Sequence, residues 1–268
     1  MIKGKIPTFA GIIFIIIGII SGVIIAGKIK SPKLNTAYDI APKNVRISNI
    51  TDDSFSISWI TNTKTSGGVN LDTTPSNDNK NTLEVVQNPG YTHSIKVEKL
   101  SPSTTYHFFI QSNKHSFDNN GVAWKVKTAP KMSNKSGTSA ISGSVYDQFN
   151  LPTKNALVYI TVAGSGFLST TTSENGSWVL PISEARSQDL ESPIVIDDYK
   201  TLIEIFVQAG PLGSASAQIY PISAKPAPPI ILGQIHNYKA INLKEEESPK
   251  AEIFIPQGGL STPNFLIN

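Results

Sequence analysis

Residues 100–110 read Leu100-Ser101-Pro102-Ser103-Thr104-Thr105-Tyr106-His107-Phe108-Phe109-Ile110. A Pro/Ser/Thr turn runs directly into an apolar, aromatic strand, which is how short strands of an all-β domain are punctuated. On the N-terminal side, Val45-Arg46-Ile47-Ser48-Asn49-Ile50 alternates, Thr51-Asp52-Asp53 turns the chain, and Phe55-Ser56-Ile57-Ser58-Trp59 alternates again. A period of two places Phe55, Ile57 and Trp59 on one buried face. Ile95, Val97 and Leu100 continue that core. On the C-terminal side Trp124-Lys125-Val126-Lys127-Thr128 closes the pattern before Ala129-Pro130. The expectation is a β-sandwich over residues 40–130.

A polar stretch, KMSNKSGT over 131–138, separates this from a second run of strand signals over 138–221. Ile141-Ser142-Gly143-Ser144-Val145-Tyr146 opens it, and Asp147 to Pro152 is a turn. Ala156, Val158, Ile160 and Val162 alternate. Ser173-Glu174-Asn175-Gly176 precedes Trp178-Val179-Leu180, and Asn-Gly favours a tight hairpin turn. Leu202 to Val207 and Ala215 to Tyr220 supply two more strands. Residues 222–268 read as a tail: a stiff Lys225-Pro226-Ala227-Pro228-Pro229 linker, a charged Glu245-Glu246-Glu247 stretch, and two short β-like runs at Ala251 to Ile255 and Phe265 to Ile267.

The N-terminus is different in kind. From Thr8 to Gly27 the chain carries no charge, and about 20 apolar residues in helix match the hydrocarbon thickness of a bilayer. Residues 1–33 therefore read as a single transmembrane signal-anchor, contacting the membrane through residues 8–27. A cleaved signal peptide is the competing reading, but Ile25-Ala26-Gly27-Lys28 lacks the small-x-small cleavage pattern. Gly18 and Gly22 stand at a small-xxx-small spacing that pairs helices. Lys3 and Lys5 precede the run and Lys28, Lys30 and Lys33 follow it, so the positive-inside rule leaves its direction open. The extracellular orientation of the C-terminal domains follows from their β-module character.

The formal net charge is +3, and the five lysines up to Lys33 exceed it, so the rest of the chain carries −2. No clustered basic surface for nucleic acid is visible. There is no cysteine, which excludes disulfides and thiolate metal sites. His93, His107 and His115 show no third ligand at a diagnostic spacing. The hydroxyl-rich run Ser165 to Ser173 has no histidine or paired acid for nucleophilic chemistry and reads as a solvated strand face. No catalytic residue, cofactor or metal is called.

Residues 40–130 resemble a fibronectin type III domain through Ala41-Pro42-x-x-Val45, Trp59, the corner Leu100-x-Pro102-x-Thr104-x-Tyr106 and Lys127-Thr128-Ala129-Pro130. With Thr65-Ser66-Gly67-Gly68-Val69 and Leu71-Asp72-Thr73-Thr74-Pro75, the variant is similar to the N-terminal domain of purple acid phosphatases, whose metal-binding catalytic domain nothing here matches. The resemblance implies that Trp59, Leu100, Pro102 and Tyr106 are structural and that Tyr106 is a tyrosine corner. Residues 138–221 resemble a carboxypeptidase-regulatory-like domain of the prealbumin and starch-binding type. Gly143-Ser144-Val145-Tyr146-Asp147, Asn155-Ala156-Leu157-Val158 and Thr171 to Trp178 carry this resemblance. It implies structural roles for Gly143, Gly176 and Trp178.

The expected fold is thus all-β, with two tandem β-sandwich domains behind a single N-terminal transmembrane helix. The order of parts resembles bacterial membrane-anchored surface proteins. The expected function is a non-enzymatic, single-pass cell-surface protein, structural or adhesive, with an extracellular protein or glycan as ligand. The alternative is a carbohydrate-binding protein of the cell envelope, for which Tyr146, Tyr159, Phe167 and Trp178 are the aromatic candidates.

Overall fold

A computed structural model of the chain describes residues 39–72, 85–132 and 139–240. The signal-anchor, the turn after Asp72, the polar stretch at 133–138 and the two tail strands lie outside the described residues. No helix among the described residues is long and apolar enough to cross a membrane. The all-β expectation holds for the described residues, which form fourteen strands. The chain divides into two compact units: Met1–Met132 with Gln208–Gly213, and Ser133–Val207 with Ser214–Asn268.

In the first unit, β1 (Lys43–Ser48), β2 (Phe55–Asp72), β3 (Val85–Val97), β4 (Thr105–Ser112), β5 (His115–Phe117) and β6 (Trp124–Lys127) form one hydrogen-bonded ladder. The unusual member is β2, 18 residues long. Its first half pairs antiparallel with β1 and with the second half of β3, while Gly67 to Asp72 pair with β4. The β2–β3 register slips between Ile60 and Thr65 and again before Gly67, and such slips bend and twist a strand. Phe55, Ile57 and Trp59 from before the slips and Val69 and Leu71 from after them enter the same core. One strand therefore serves both layers of the sandwich. Ile95, Val97, Leu100, Tyr106, Phe108, Ile110 and Val126 complete the core.

In the second unit, β7 (Ala140–Tyr146), β8 (Leu157–Val162), β9 (Leu168–Thr171), β10 (Ser177–Pro181), β11 (Ile203–Gln208), β12 (Ser214–Ile219), β13 (Ile230–Ile231) and β14 (Ile235–Asn237) make two sheets. Their orders are β10-β7-β13 and β14-β12-β11-β8-β9. Alternate residues of β7, β11 and β12 are buried, as one-sided strands require. The interior strand β8 departs from simple alternation, because Leu157 and Tyr159 are buried along with Val158, Ile160 and Val162. Tyr159 stacks on Phe206 of β11 with ring centroids 6.2 Å apart.

Residues 222–240 are not a linker. The Ser142 N–H donates to the Ala224 carbonyl at 2.8 Å, the Ala227 N–H donates to Ser142 at 2.7 Å, and the Leu232 N–H donates to Tyr146 at 2.9 Å. Ile230 and Ile231 of β13 pair parallel with Val145 and Tyr146, and β14 pairs parallel with β12. Ala224, Ala227, Ile230 and Leu232 are buried. The prolines withhold only their own N–H groups, and the small and apolar residues between them keep their donors and enter the core. The hydroxyl run is corrected too. Ser165, Ser169 and Thr172 are buried, with the Thr172 hydroxyl accepting the Ala156 N–H at 2.8 Å and donating to the Thr153 carbonyl at 2.6 Å.

Candidate functional site

The chemistry-bearing side chains are dispersed. His93 is on β3 opposite Trp59, His107 is on β4 opposite Asp72, and His115 opens β5. His236, on β14, engages the Ile231 N–H at 3.0 Å and stacks on Tyr238 at 5.2 Å. Among the described residues, no three His, Asp or Glu side chains are grouped to hold a metal ion.

The corner at Leu100 to Tyr106 is a fixed structure. The Tyr106 hydroxyl accepts the Ser101 N–H at 2.9 Å, and its ring lies 6.4 Å from Phe55. Leu100 is buried, and its N–H donates to the Asp53 carbonyl at 2.9 Å. Pro102 is exposed at the turn, where Ser103 takes φ 52°. Thr128 closes the corner from the far end of the unit: its hydroxyl accepts the Thr104 N–H at 2.9 Å and donates to the Ser101 carbonyl at 2.6 Å. The sequence shows Thr128 only as the end of an alternating run. Tyr106→Phe removes one part-buried hydrogen bond and leaves the packing, so we expect a loss of about 1 kcal/mol. Urea denaturation of the first unit measures it.

The most constrained cluster lies where β2 bends. His93 is 1% exposed. Its ring stacks on Trp59, with centroids 4.9 Å apart and 19° between planes. Its Nε2 is 3.1 Å from the Thr65 hydroxyl and 3.5 Å from that of Thr61. The Gly67 α-carbon faces this pair, and a Cβ there would stand 2.4 Å from His93 Nδ1 and 2.8 Å from Trp59 Cζ2. Burial pushes the His93 pKa down to about 4, against a weaker opposing pull from the Gly90 carbonyl. A neutral ring clamped between an indole and a backbone is a structural group. The Thr65-Ser66-Gly67 motif carries its own explanation here, because two of its three residues contact His93.

The second unit repeats the device without a histidine. Gly143 on β7 is paired with Trp178 on β10, and a Cβ at 143 would lie 2.8 Å from the indole. Trp178 is 2% exposed. Gly176, at φ 77°, turns the chain into β10, and a Cβ there would stand 2.6 Å from the Val145 carbonyl oxygen. An L side chain would be strained there.

Of the four aromatic candidates for a glycan platform, Tyr159 and Trp178 are core and Tyr146 is half-buried, leaving Phe167 exposed. The exposed apolar side chains lie elsewhere. Asp147 accepts the N–H groups of Phe149 and Leu151, each at 2.9 Å, and this fixed turn presents Phe149 at 73% and Leu151 at 60% exposure. In the sequence 147–152 reads only as a turn, and the aspartate two residues before an aromatic is the signal for this fixed loop. In the loop over 186–201, Asp197 accepts the N–H groups of Tyr199 at 2.8 Å and Lys200 at 2.9 Å. The hydrogen bond from the Tyr199 N–H holds the Asp197 carboxyl below the usual carboxylate range. Asp198 pairs with Lys225 at 2.9 Å. Trp59, Leu100, Tyr106 and Trp178 are buried, whereas Phe149, Leu151 and Tyr199 stand exposed on loops.

Residues 42–135 match the family described as Purple acid Phosphatase, N-terminal domain. The match is to that N-terminal domain alone, which fits a non-catalytic module. A search of curated proteins gives no match. Among solved structures, the chain is similar to the chicken CNTN1 FN1-FN3 domains at 13% identity. That alignment covers 73% of this chain and 67% of that one, with a TM-score of 0.22. The central fibronectin-III array of RIM-binding protein aligns at 19% identity over 57% of this chain and 59% of that one, with a TM-score of 0.25. A structure of PhoD aligns at 8% identity with a TM-score of 0.30, covering 44% of this chain. The chain spans 24% of that PhoD chain.

Proposed function

We propose that this chain is a membrane-anchored surface protein whose two β-sandwich units act as a spacer and docking module and carry no catalysis. The observation that carries the reading is the uncharged run from Thr8 to Gly27 placed directly before two units whose polar groups are spent on structure. Residues 8–27 are the anchor, in a single pass, and the β units stand outside a bacterial cell. The second unit is a carboxypeptidase-regulatory-like domain, supported by the roles of Gly143, Gly176 and Trp178. Binding falls to loops such as Asp147 to Pro152, which positions two exposed apolar side chains on a rigid turn. The ligand is an extracellular protein surface. A glycan ligand would need exposed, coplanar aromatics, and two of the four candidates are core.

Protease treatment of intact cells expressing the full chain tests this. Loss of the β units from outside, with the N-terminal fragment remaining in the membrane fraction, is the expected result. Units that resist protease on intact cells and are cut in inverted vesicles reverse the orientation and overturn the proposal. Full-length chain released in soluble form on lysis overturns the anchor.

A further inference from the structure

The buried histidine at the bend of β2 has a consequence beyond packing. From β2 its ring meets Trp59, Thr61, Thr65 and Gly67, and from β3 the Gly90 carbonyl. Ser112 of β4 lies opposite Gly67. None of these is charged. Lys64, beside Thr65, turns outward over the Tyr91 ring at 5.8 Å. Lys96 of β3 and Glu98 just after it pair with each other at the surface at 2.6 Å, and Lys43 of β1 reaches Asn62 at 3.1 Å. On one side of the ring the Thr61 and Thr65 hydroxyls stand 3.3 Å apart, with the Thr61 hydroxyl donating to the Thr63 carbonyl at 2.8 Å. On the other side Gly67 closes the space against Nδ1. A second proton on this ring finds two hydroxyls, a carbonyl and no carboxylate, with no room for a water on the Gly67 side. A buried cation without a partner is strongly unfavourable.

We propose that the Trp59–His93–Thr65 cluster is an acid-sensitive latch, so that protonation of His93 opens the bend of β2 and loosens the first unit while the second stays closed. The bend is where one strand passes between the two layers, so opening it uncouples them. The direction follows from where the proton binds. The unfolded chain takes it up as pH falls below about 6.5, whereas the folded ring resists until about 4. The stabilisation is complete above pH 6.5, shrinks by about tenfold in the folding constant per pH unit below it, and is lost at about pH 4. The full loss is about 300-fold. In the second unit the histidine is His236, half-buried on the edge strand β14.

Hydrogen exchange of the full chain, read by mass spectrometry and corrected for intrinsic rates, tests the latch. Protection over 55–72 and 85–97 is expected to fall by about tenfold per unit between pH 6.5 and 4.5, while peptides over 203–207 hold theirs. His93→Gln, neutral throughout and able to hydrogen bond, is expected to flatten the dependence. Protection that stays level in the parent chain overturns the proposal, as does an unchanged slope in His93→Gln. Should that variant not fold, the ring of His93 in the parent chain is followed by NMR: a midpoint near 5 or lower supports the latch, and one near 6.5 overturns it.

Discussion

Gly67→Val is expected to destabilise the first unit by about 3 kcal/mol or more, the upper end of what overpacking costs. The reason is local. A Cβ at 67 would meet His93 Nδ1 at 2.4 Å, Trp59 Cζ2 at 2.8 Å and His93 Cγ at 2.9 Å. Neither ring can move easily. Trp59 is fully buried in the core, and His93 is held by Thr65 at 3.1 Å. Valine adds two further methyl groups to a position that cannot take the first. Gly68→Ala, one residue on, is the useful contrast, since alternation turns its side chain to the opposite face. Urea denaturation followed by near-ultraviolet circular dichroism measures both. A midpoint for Gly67→Val within 0.5 kcal/mol of the parent refutes the packing argument. Replacing His93 by Ala in the Gly67→Val background should recover part of the loss, because the two side chains compete for one space.

Trp178→Ala is expected to cost the second unit about 3–5 kcal/mol, the range for removing a buried aromatic. Trp178 fills the space that Gly143 leaves on the neighbouring strand, so the loss combines apolar transfer with a cavity floored by a glycine. The pair predicts a sign change. Gly143→Val alone damages the unit, because its Cβ would stand 2.8 Å from the indole, yet in the Trp178→Ala background it refills the cavity and recovers stability. Val179, next along β10 and 60% exposed, is expected to tolerate Ser within about 0.5 kcal/mol. Thermal unfolding by circular dichroism distinguishes these outcomes, and additive effects of the two changes at 143 and 178 would count against direct contact.

Much of this was legible from alternation alone. Phe55, Ile57 and Trp59, then Val126, enter the first core where a period of two places them. The bend of β2 was not legible, because Thr61 to Ser66 is polar and reads as a loop. The hydroxyls of Thr61 and Thr65 turn inward because a histidine on the neighbouring strand needs partners, a long-range fact that no local window contains. His93 was weighed as a metal ligand, a role decided by neighbours and not by residue type. Residues 225–229 were misread for the opposite reason. Three prolines dominate the local signal for an extended linker, while burial of Ala224 and Ala227 depends on β7, more than 75 residues earlier. Tyr159 was expected to face outward, and the stacking of Phe206 over it shows that both faces of β8 are covered. The anchor rests on sequence alone.

The strap over 224–232 gives the second unit a mechanical character. It lies alongside β7 and runs in the same direction, with hydrogen bonds at Ser142 and Tyr146 towards its two ends and parallel pairing of Ile230 and Ile231 with Val145 and Tyr146 between them. Tension applied between Ser139, where the chain enters β7, and Leu232, where it leaves the strap, draws two parallel neighbours past each other. Those bonds are then loaded together in shear, whereas an antiparallel hairpin pulled at its open end gives way one bond at a time.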